Sequence, residues 1–375
     1  MKKSIAIAIA VLVVVLSGVF FGDDLKKFFF ASQSPPKDVA VTDMKGKQSE
    51  DVEEVATGLK VPWDMAFLPE GDFLVTERPG TLLRIGDGQR RYEISGVRHI
   101  GEGGLLGIAL HPDFSQNRFV YLYFTSQVGG QIENRVERYR FENDELSGRE
   151  VILSGIPGAS YHDGGRIEFG PDGFLYITTG DAGNAGLAQN KNSLAGKILR
   201  LNDDGATAAD NPFGNAVWSY GHRNPQGLVW DGEGRLWSTE HGRSGALSGF
   251  DELNIIEKGG NYGWPTIQGD ERKEGMNAPV LHSGSDYTWA PASATYYDGS
   301  IFFGGLRGEA LFEAVLSATS KPELKIHFRE EYGRVRMARM GDDGFLYIST
   351  SNTDGRGTPG SGDDRILKIN PEIFR

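Results

Sequence analysis

One phrase recurs along this chain, and it limits the possible folds more than any other feature. It runs from an apolar pair through a Pro/Asp/Gly turn into a strand of alternating aromatic and β-branched residues. Copies span Met65 to Val75, Ile108 through Phe114 into Phe119 to Phe124, Ile167 to Tyr176, Leu228 to Trp237 and Met340 to Ile348, with a weaker one from Ala294 to Phe303. Alternation with period two puts successive side chains on opposite faces of a strand, and Asp-Gly supplies the backbone freedom a tight hairpin needs. Six such hairpins, roughly 40 to 60 residues apart, predict an all-β chain folded as a six-bladed β-propeller, each copy forming the inner hairpin of one blade. Outer strands are predicted at Leu82 to Ile85, Arg138 to Phe141, Lys197 to Leu201 and Arg365 to Ile369. Only Gly308 to Ala318 reads as an amphipathic helix. A two-sheet sandwich does not account for six evenly recurring units.

The repeats assign residues 55–375 to the propeller. Ahead of them, Lys2 and Lys3 precede an apolar run from Ile5 to Phe21, which reads as an export signal or a retained membrane anchor, so residues 1–22 are taken as that segment. Residues 23–54, polar and carrying Ser34-Pro35-Pro36-Lys37, read as a tether. The protein is therefore expected outside the cytoplasm, periplasmic or extracytoplasmic, and tied to the membrane if the segment is kept.

A formal net charge of -12 with no Lys/Arg-rich run argues against nucleic acid as a partner. The absence of cysteine excludes disulfides, thiolate metal sites and the Cys-x-x-Cys-His attachment of a haem. Any metal must be held by oxygen or imidazole.

In a propeller, loops from distant blades meet at one end of the central channel, so chemistry is sought there. In Tyr161-His162-Asp163-Gly164-Gly165-Arg166 a histidine stands ahead of two glycines, with little bulk beside it, and an imidazole can take a proton from a substrate hydroxyl. Taken alone, a turn histidine is the commoner reading. Arg223, Arg307, Arg334 and Arg336 fall in corresponding loops, and an acidic chain that gathers guanidinium groups at one place is suited to an anionic ligand. Arg334 and Arg336, two apart on a strand, face the same way. The segments Phe250 to Asn254 and Gly259 to Pro265 pair acids with a turn, as Ca²⁺ prefers.

Together these segments resemble the soluble quinoprotein sugar dehydrogenases, PQQ-dependent enzymes built on a six-bladed propeller. The resemblance covers residues 55 to 371 and is most specific at Gly221-His222-Arg223-Asn224-Pro225-Gln226-Gly227 and Gly259-Gly260-Asn261-Tyr262-Gly263-Trp264-Pro265. It implies that His162 is the base taking the anomeric hydroxyl proton of an aldose while hydride passes to the quinone. It places Glu102, Arg223, Asn224, Gln226, Arg307, Arg334 and Arg336 on the cofactor. It assigns a Ca²⁺ to the backbone carbonyls of Gly242 and Arg243, and a second, structural Ca²⁺ to Glu252 and the carbonyl of Tyr262. The reaction implied is oxidation of the C1 hydroxyl of an aldose sugar to a lactone, with electrons passed to an external acceptor, a quinone or a redox protein.

Three departures from the family pattern bear on this. Glu102 stands where relatives carry Gln, and a carboxylate facing an anionic ligand must be protonated, paired or turned away. Ala182 replaces a glutamine that contacts sugar in the glucose enzyme, and Tyr161 replaces an Asp before the base, so a broad aldose range is expected. Two other readings stand beside the first. One is a metal-dependent propeller lactonase, which leaves the arginines unexplained. The other is a non-enzymatic propeller that binds a glycan or a protein, which has no need of a base.

Overall fold

The computed structural model describes residues 33–37, 39–42, 51–243 and 249–375. Six antiparallel sheets stand in a ring, a six-bladed β-propeller. Blade 1 comprises β3 (Pro62–Phe67), β4 (Phe73–Glu77), β5 (Thr81–Ile85) and β6 (Gln89–Glu93); blade 2 comprises β7 (Leu105–Leu110), β8 (Phe119–Val128), β9 (Gln131–Glu142) and β10 (Glu145–Pro157). Blade 3 follows with β11 (Ile167–Phe169), β12 (Leu175–Thr179), β13 (Lys197–Leu201) and β14 (Val217–Tyr220), and blade 4 with β15 (Pro225–Trp230), β16 (Leu236–Glu240), β17 (Glu252–Ile256) and β18 (Leu281–His282). Blade 5 holds β19 (Pro291–Tyr297), β20 (Ser300–Gly305), β21 (Ala310–Val315) and β22 (Glu323–His327); blade 6 holds β23 (Val335–Met340), β24 (Leu346–Thr350) and β25 (Ile366–Ile369).

The recurring phrase is the inner hairpin of every blade, and its turn chemistry is visible. Asp172 accepts hydrogen bonds from the Phe174 N–H (3.4 Å) and the Tyr176 hydroxyl (3.0 Å); Asp343 does the same for Phe345 (3.2 Å) and Tyr347 (2.8 Å). The aspartate thus ties the turn to the second aromatic of the strand that leaves it. Gly173 and Gly344 sit at φ +79° and +80°, where a side chain would be strained. Between consecutive blades lie six clusters of buried apolar side chains, one per gap, which lock the ring face to face.

Two strands come from the segment read as a tether. β2 (Val52–Ala56) pairs with β25 and supplies the outer strand of blade 6, so the start of the propeller closes the ring on its own end. β1 (Ala40–Val41) adds a fifth, parallel strand to blade 5 beside β22. The boundary therefore lies before residue 55. Polar residues there escaped notice because an outermost strand faces solvent on one side, and β1 covers an otherwise open sheet edge.

The expected helix over Gly308 to Ala318 is instead β21. Its residues Ala310 to Ala314 are all buried between β20 and β22, so apolar character on both faces, rather than on one helical stripe, was the signal. Among the described residues no helix is long and apolar enough to cross a membrane. The Ile5 to Phe21 run lies outside the described residues.

Candidate active site

Each blade begins and ends its strands so that the loops entering the first strand and those joining the second to the third share one end of the ring. The loops carrying His162, Arg223, Arg307 and Arg334 lie at that end, and the long β17–β18 connection reaches it through Trp264. His162 sits in the loop entering blade 3 with φ +61°, an uncommon backbone for a residue with a side chain. Two contacts hold it there. Its N–H donates to Glu102 (3.1 Å), and its carbonyl accepts from the Ala182 N–H (3.2 Å).

The His162 ring donates from Nδ1 to Asp181 Oδ1 at 2.7 Å. Asp181 also accepts from the Gly183 N–H (2.8 Å) and, through Oδ2, from the Trp264 indole N–H (2.8 Å). Burial works against this carboxylate, yet the bonds from His162, Gly183 and Trp264 hold it below the usual range. An anionic acceptor on Nδ1 fixes the proton there and leaves the Nε2 lone pair free to accept another. His162 can thereby act as a base, oriented by a partner the sequence did not mark.

The two glycines after the base have another job than the one expected. A Cβ on Gly164 would lie 2.6 Å from the Thr178 carbonyl, and one on Gly165 2.7 Å from the Leu106 side chain. They let the loop press on its neighbours, rather than clearing space for a ligand. Tyr161 lies at the rim, 46% exposed, its ring edge-on to His162 with centroids 4.8 Å apart.

Glu102, expected on the cofactor, has both carboxylate oxygens committed. Oε2 takes the His162 N–H, and Oε1 takes Arg356 at 2.7 Å. Against the opposing effect of burial, Arg356 and the His162 N–H draw it down to about 2. Of the three options open to a carboxylate beside an anionic ligand, the chain uses pairing. Asn224 likewise spends its Oδ1 on the Gly164 N–H (3.0 Å), so it steadies the base loop.

Arg334 is pinned by Asp354 at 2.8 Å and by the Leu306 carbonyl at 3.1 Å. Arg336 is buried, donates to Gln226 Oε1 at 3.1 Å and lies over Trp63. Burial first, and Arg78 with it, pulls its guanidinium down to about 9. Arg78, which the sequence reading missed, is buried with its Nε unpartnered. Neither Arg336 nor Arg78 has a carboxylate within salt-bridge distance among the described residues. Arg223 contacts the His241 carbonyl (3.3 Å) and lies over Trp264; its backbone N–H is taken by Glu240. Arg307, half-buried in the loop after β20, is lowered by burial.

Gly242 donates its N–H to Asp251 (2.8 Å), and Asp251 also receives the N–H groups of Trp289 and Ala290 at 2.7 and 2.8 Å. Of the acid pair read as a calcium signal, Asp251 is thus occupied by three backbone N–H groups, while Glu252 accepts from the Asn254 side-chain amide (3.1 Å) and the Gly269 N–H. Glu252 faces Glu240 across β16 and β17; burial, and then Glu240, push it up to about 8. A small cavity lined by Glu240, Gly242, Arg243, Glu252, Tyr262 and Gln268 adjoins it, and Gln268 Oε1 is buried there without a partner. Among the described residues no three acid or imidazole side chains converge as a metal cage. Arg243 is exposed and borders residues 244–248, which lie outside the described ones.

The model of the family "Glucose / Sorbosone dehydrogenase" matches residues 59–362 of the chain. Aldose sugar dehydrogenase YliI of Escherichia coli is 31% identical, over 85% of this chain and 92% of its own. The PQQ-bound form of an aldose sugar dehydrogenase from Streptomyces coelicolor superposes with a TM-score of 0.78 at 42% identity, covering 85% of this chain and 97% of that one. An oxidoreductase (glucose dehydrogenase) from Thermus thermophilus gives 0.81 at 43% identity, covering 85% and 99%.

Proposed function

The chain belongs to the glucose / sorbosone dehydrogenase family, and on that premise we propose that it is a PQQ-dependent aldose sugar dehydrogenase that oxidises the C1 hydroxyl of its substrate to a lactone. The observation that carries this reading is the His162–Asp181 pair opening onto the same mouth as Arg78, Arg334 and Arg336. A base alone suits many reactions. A base beside buried guanidinium groups, of which Arg78 and Arg336 lack a carboxylate within salt-bridge distance among the described residues, suits an oxidation in which a polyanion is the acceptor.

The residues fit the cofactor. PQQ is a tricarboxylate, and the unpaired charge of Arg336 together with the orphaned Nε of Arg78 is what such a ligand would neutralise. Arg334, Arg336 and Arg307 would hold carboxylates, with Gln226 fixing Arg336 in place. Arg223 would reach the quinone edge from over Trp264. For Ca²⁺ the donor set is oxygen, as that ion requires: the carbonyls of Gly242 and Arg243 at the mouth, and Glu252 with the Tyr262 carbonyl and Gln268 at the second place. When bound, PQQ supplies an o-quinone that accepts hydride, and the cation makes its carbonyl a better acceptor.

The chain's own part is proton management. Removing a hydride from C1 is favourable only as the O–H proton leaves, and His162 Nε2 receives it. The resulting imidazolium is stabilised by Asp181, which stays anionic. Glu102 and Asn224 keep the loop fixed so that Nε2 does not drift from the hydroxyl, since small misplacements are costly. The open rim, with Ala182 small and Tyr161 exposed, supports a broad aldose range. Electrons leave to a separate quinone or redox protein, and the N-terminal run exports the enzyme or anchors it to a membrane.

The test uses residues 33–375, so that β1 and β2 are retained, purified without cofactor. Dye reduction with several aldoses should need both PQQ and Ca²⁺, and His162→Ala should bind PQQ normally while losing most turnover. Activity without PQQ, or normal turnover in His162→Ala, overturns the reading.

A further inference from the structure

His241 has no part in the scheme so far, yet it stands at the centre of the mouth. It follows Glu240 at the end of β16, and its backbone is held from two sides: its N–H donates to the Asn224 carbonyl (3.2 Å), and its own carbonyl accepts from Arg223 (3.3 Å). The ring lies within electrostatic reach of Glu102, Arg223, Arg336 and His162. Three loops and the start of β23 thus converge on one imidazole. Its Nε2 is buried and has no hydrogen-bond partner.

The contrast with the neighbouring histidines is informative. His222 has both ring nitrogens satisfied, Nδ1 by Glu240 and Nε2 by Ser219, each at 2.8 Å. It is buried completely and belongs to the scaffold. His162 has Nδ1 on Asp181 and presents Nε2 as a base. His241 is wedged among cations by its backbone, with a polar atom that finds nothing to bond. Leaving such an atom buried without a partner is costly, and a fold tolerates that where a ligand supplies the missing partner.

We propose that His241 is a further catalytic residue, its Nε2 hydrogen-bonding the polar edge of the bound cofactor. The assignment rests on the PQQ reading and adds to it a contact that neither the family resemblance nor the arginine cluster marks. It accounts for the rigid backbone on either side of the ring, because a hydrogen bond to a planar ligand is sensitive to the angle of the donor. It also sets the two mouth histidines apart by duty, His162 toward the sugar and His241 toward the cofactor.

The test compares wild type, His241→Gln and His241→Ala as apoproteins with Ca²⁺ held constant. PQQ is titrated by calorimetry, and the absorption band of the bound cofactor is recorded. His241→Gln keeps an amide of similar reach. His241→Ala should bind PQQ on the order of tenfold more weakly, with a displaced absorption band, and His241→Gln should recover most of both. If His241→Ala does not fold, His241→Leu, which fills similar space without a polar atom, should show the same weaker binding and displaced band, and wild-type binding and spectrum in His241→Leu overturn the contact. Wild-type affinity and spectrum in both variants overturn it, as does a change confined to KM for the sugar, which would reassign the ring to substrate. A wild-type protein that takes up no PQQ refutes the functional reading and this inference with it, whereas binding by wild type with unaltered variants refutes only this one.

Discussion

Asp181→Asn is the sharpest single perturbation of this site. Three donors converge on the Asp181 carboxylate, His162 Nδ1–H and the Gly183 N–H on Oδ1 and the Trp264 indole N–H on Oδ2. A carboxylate accepts all three, but an amide of the same shape cannot. If the substituted amide keeps its oxygen toward His162, its NH₂ confronts the Trp264 N–H, donor against donor. If it turns to satisfy Trp264, its NH₂ faces His162 Nδ1, and the ring proton must move to Nε2, where it blocks the base. The first arrangement loses a charge-assisted bond worth roughly 1.5–3 kcal/mol, which is about ten- to a hundredfold in rate. The second removes the reactive tautomer, and the analogous change in a Ser-His-Asp triad costs about 10⁴-fold. Turnover of Asp181→Asn should therefore fall between about tenfold and 10⁴-fold, with PQQ affinity unchanged within about threefold, since the loss falls on kcat. The double variant Asp181→Asn, Trp264→Phe removes the opposing donor and should recover part of the lost rate, a coupling read by a double-mutant cycle. Turnover of Asp181→Asn within about threefold of wild type, or no recovery in the double variant, would refute the account.

Three further outcomes follow from the same geometry. Glu102→Gln keeps an acceptor for the His162 N–H and should hold turnover within a few-fold, whereas Glu102→Ala releases the left-handed backbone and should lose about tenfold or more; equal losses would show that the charge, and not the N–H acceptor, matters. Asp354 is held down to about 2 by Arg334 and Arg336 in spite of burial, so its contribution to stability is present above the ordinary carboxylate value and is lost as pH falls toward that figure. The gap in melting temperature between wild type and Asp354→Asn should accordingly close between about pH 4 and pH 2. Added Ca²⁺ should raise the melting temperature of the apoprotein, and Glu252→Gln should abolish most of the rise; an undiminished rise would place the ion elsewhere.

The propeller was legible because its hairpins solve one physical problem with related turn residues, three of them in the same way. An Asp at the turn needs a Gly after it and an aromatic hydroxyl or indole within reach, and that combination stands out in sequence, as at Asp172, Asp231 and Asp343. β1 and β2 escaped because their place depends on distant strands, not on their own pattern: Val41 pairs with Ile326 and Val52 with Ile369. The same distinction divides the site. His162 and the arginines were found because glycines or a strand repeat surround them, or because a family motif does. Their partners were not, because each pairing joins separate loops, some within one blade, as for His162 with Asp181, and others between blades. Arg356 meets Glu102 from 254 positions away, and Trp264 meets Asp181 from 83.

These pairings decide the chemistry of the mouth. Net charge suggests that the surface as a whole repels anions, yet the field at the site is set by which arginines remain unmatched once local carboxylates are assigned. Asp354 holds Arg334, and Glu102 holds Arg356. Asp181 serves His162, Asp251 serves backbone N–H groups, and Glu240 serves His222 and the Arg223 N–H. Each of these acids has a partner that fixes it, and among the described residues none lies within salt-bridge distance of Arg336 or Arg78, although Asp354 acts on both from farther away. The surplus is therefore positive and buried, in a place where desolvation makes an unpaired charge costly. A fold that keeps two such guanidinium groups side by side, against their mutual repulsion, gains stability when an anion binds. Arg336→Ala should therefore bind PQQ at least about tenfold more weakly, while its apoprotein melts no lower than wild type, because the arginine removed is buried without a carboxylate. Wild-type apoprotein that melts several degrees higher with PQQ and Ca²⁺ than with Ca²⁺ alone, and Arg336→Ala that does not, would show that the cofactor completes the charge balance of the ring; an equal rise in both proteins would place the binding energy elsewhere.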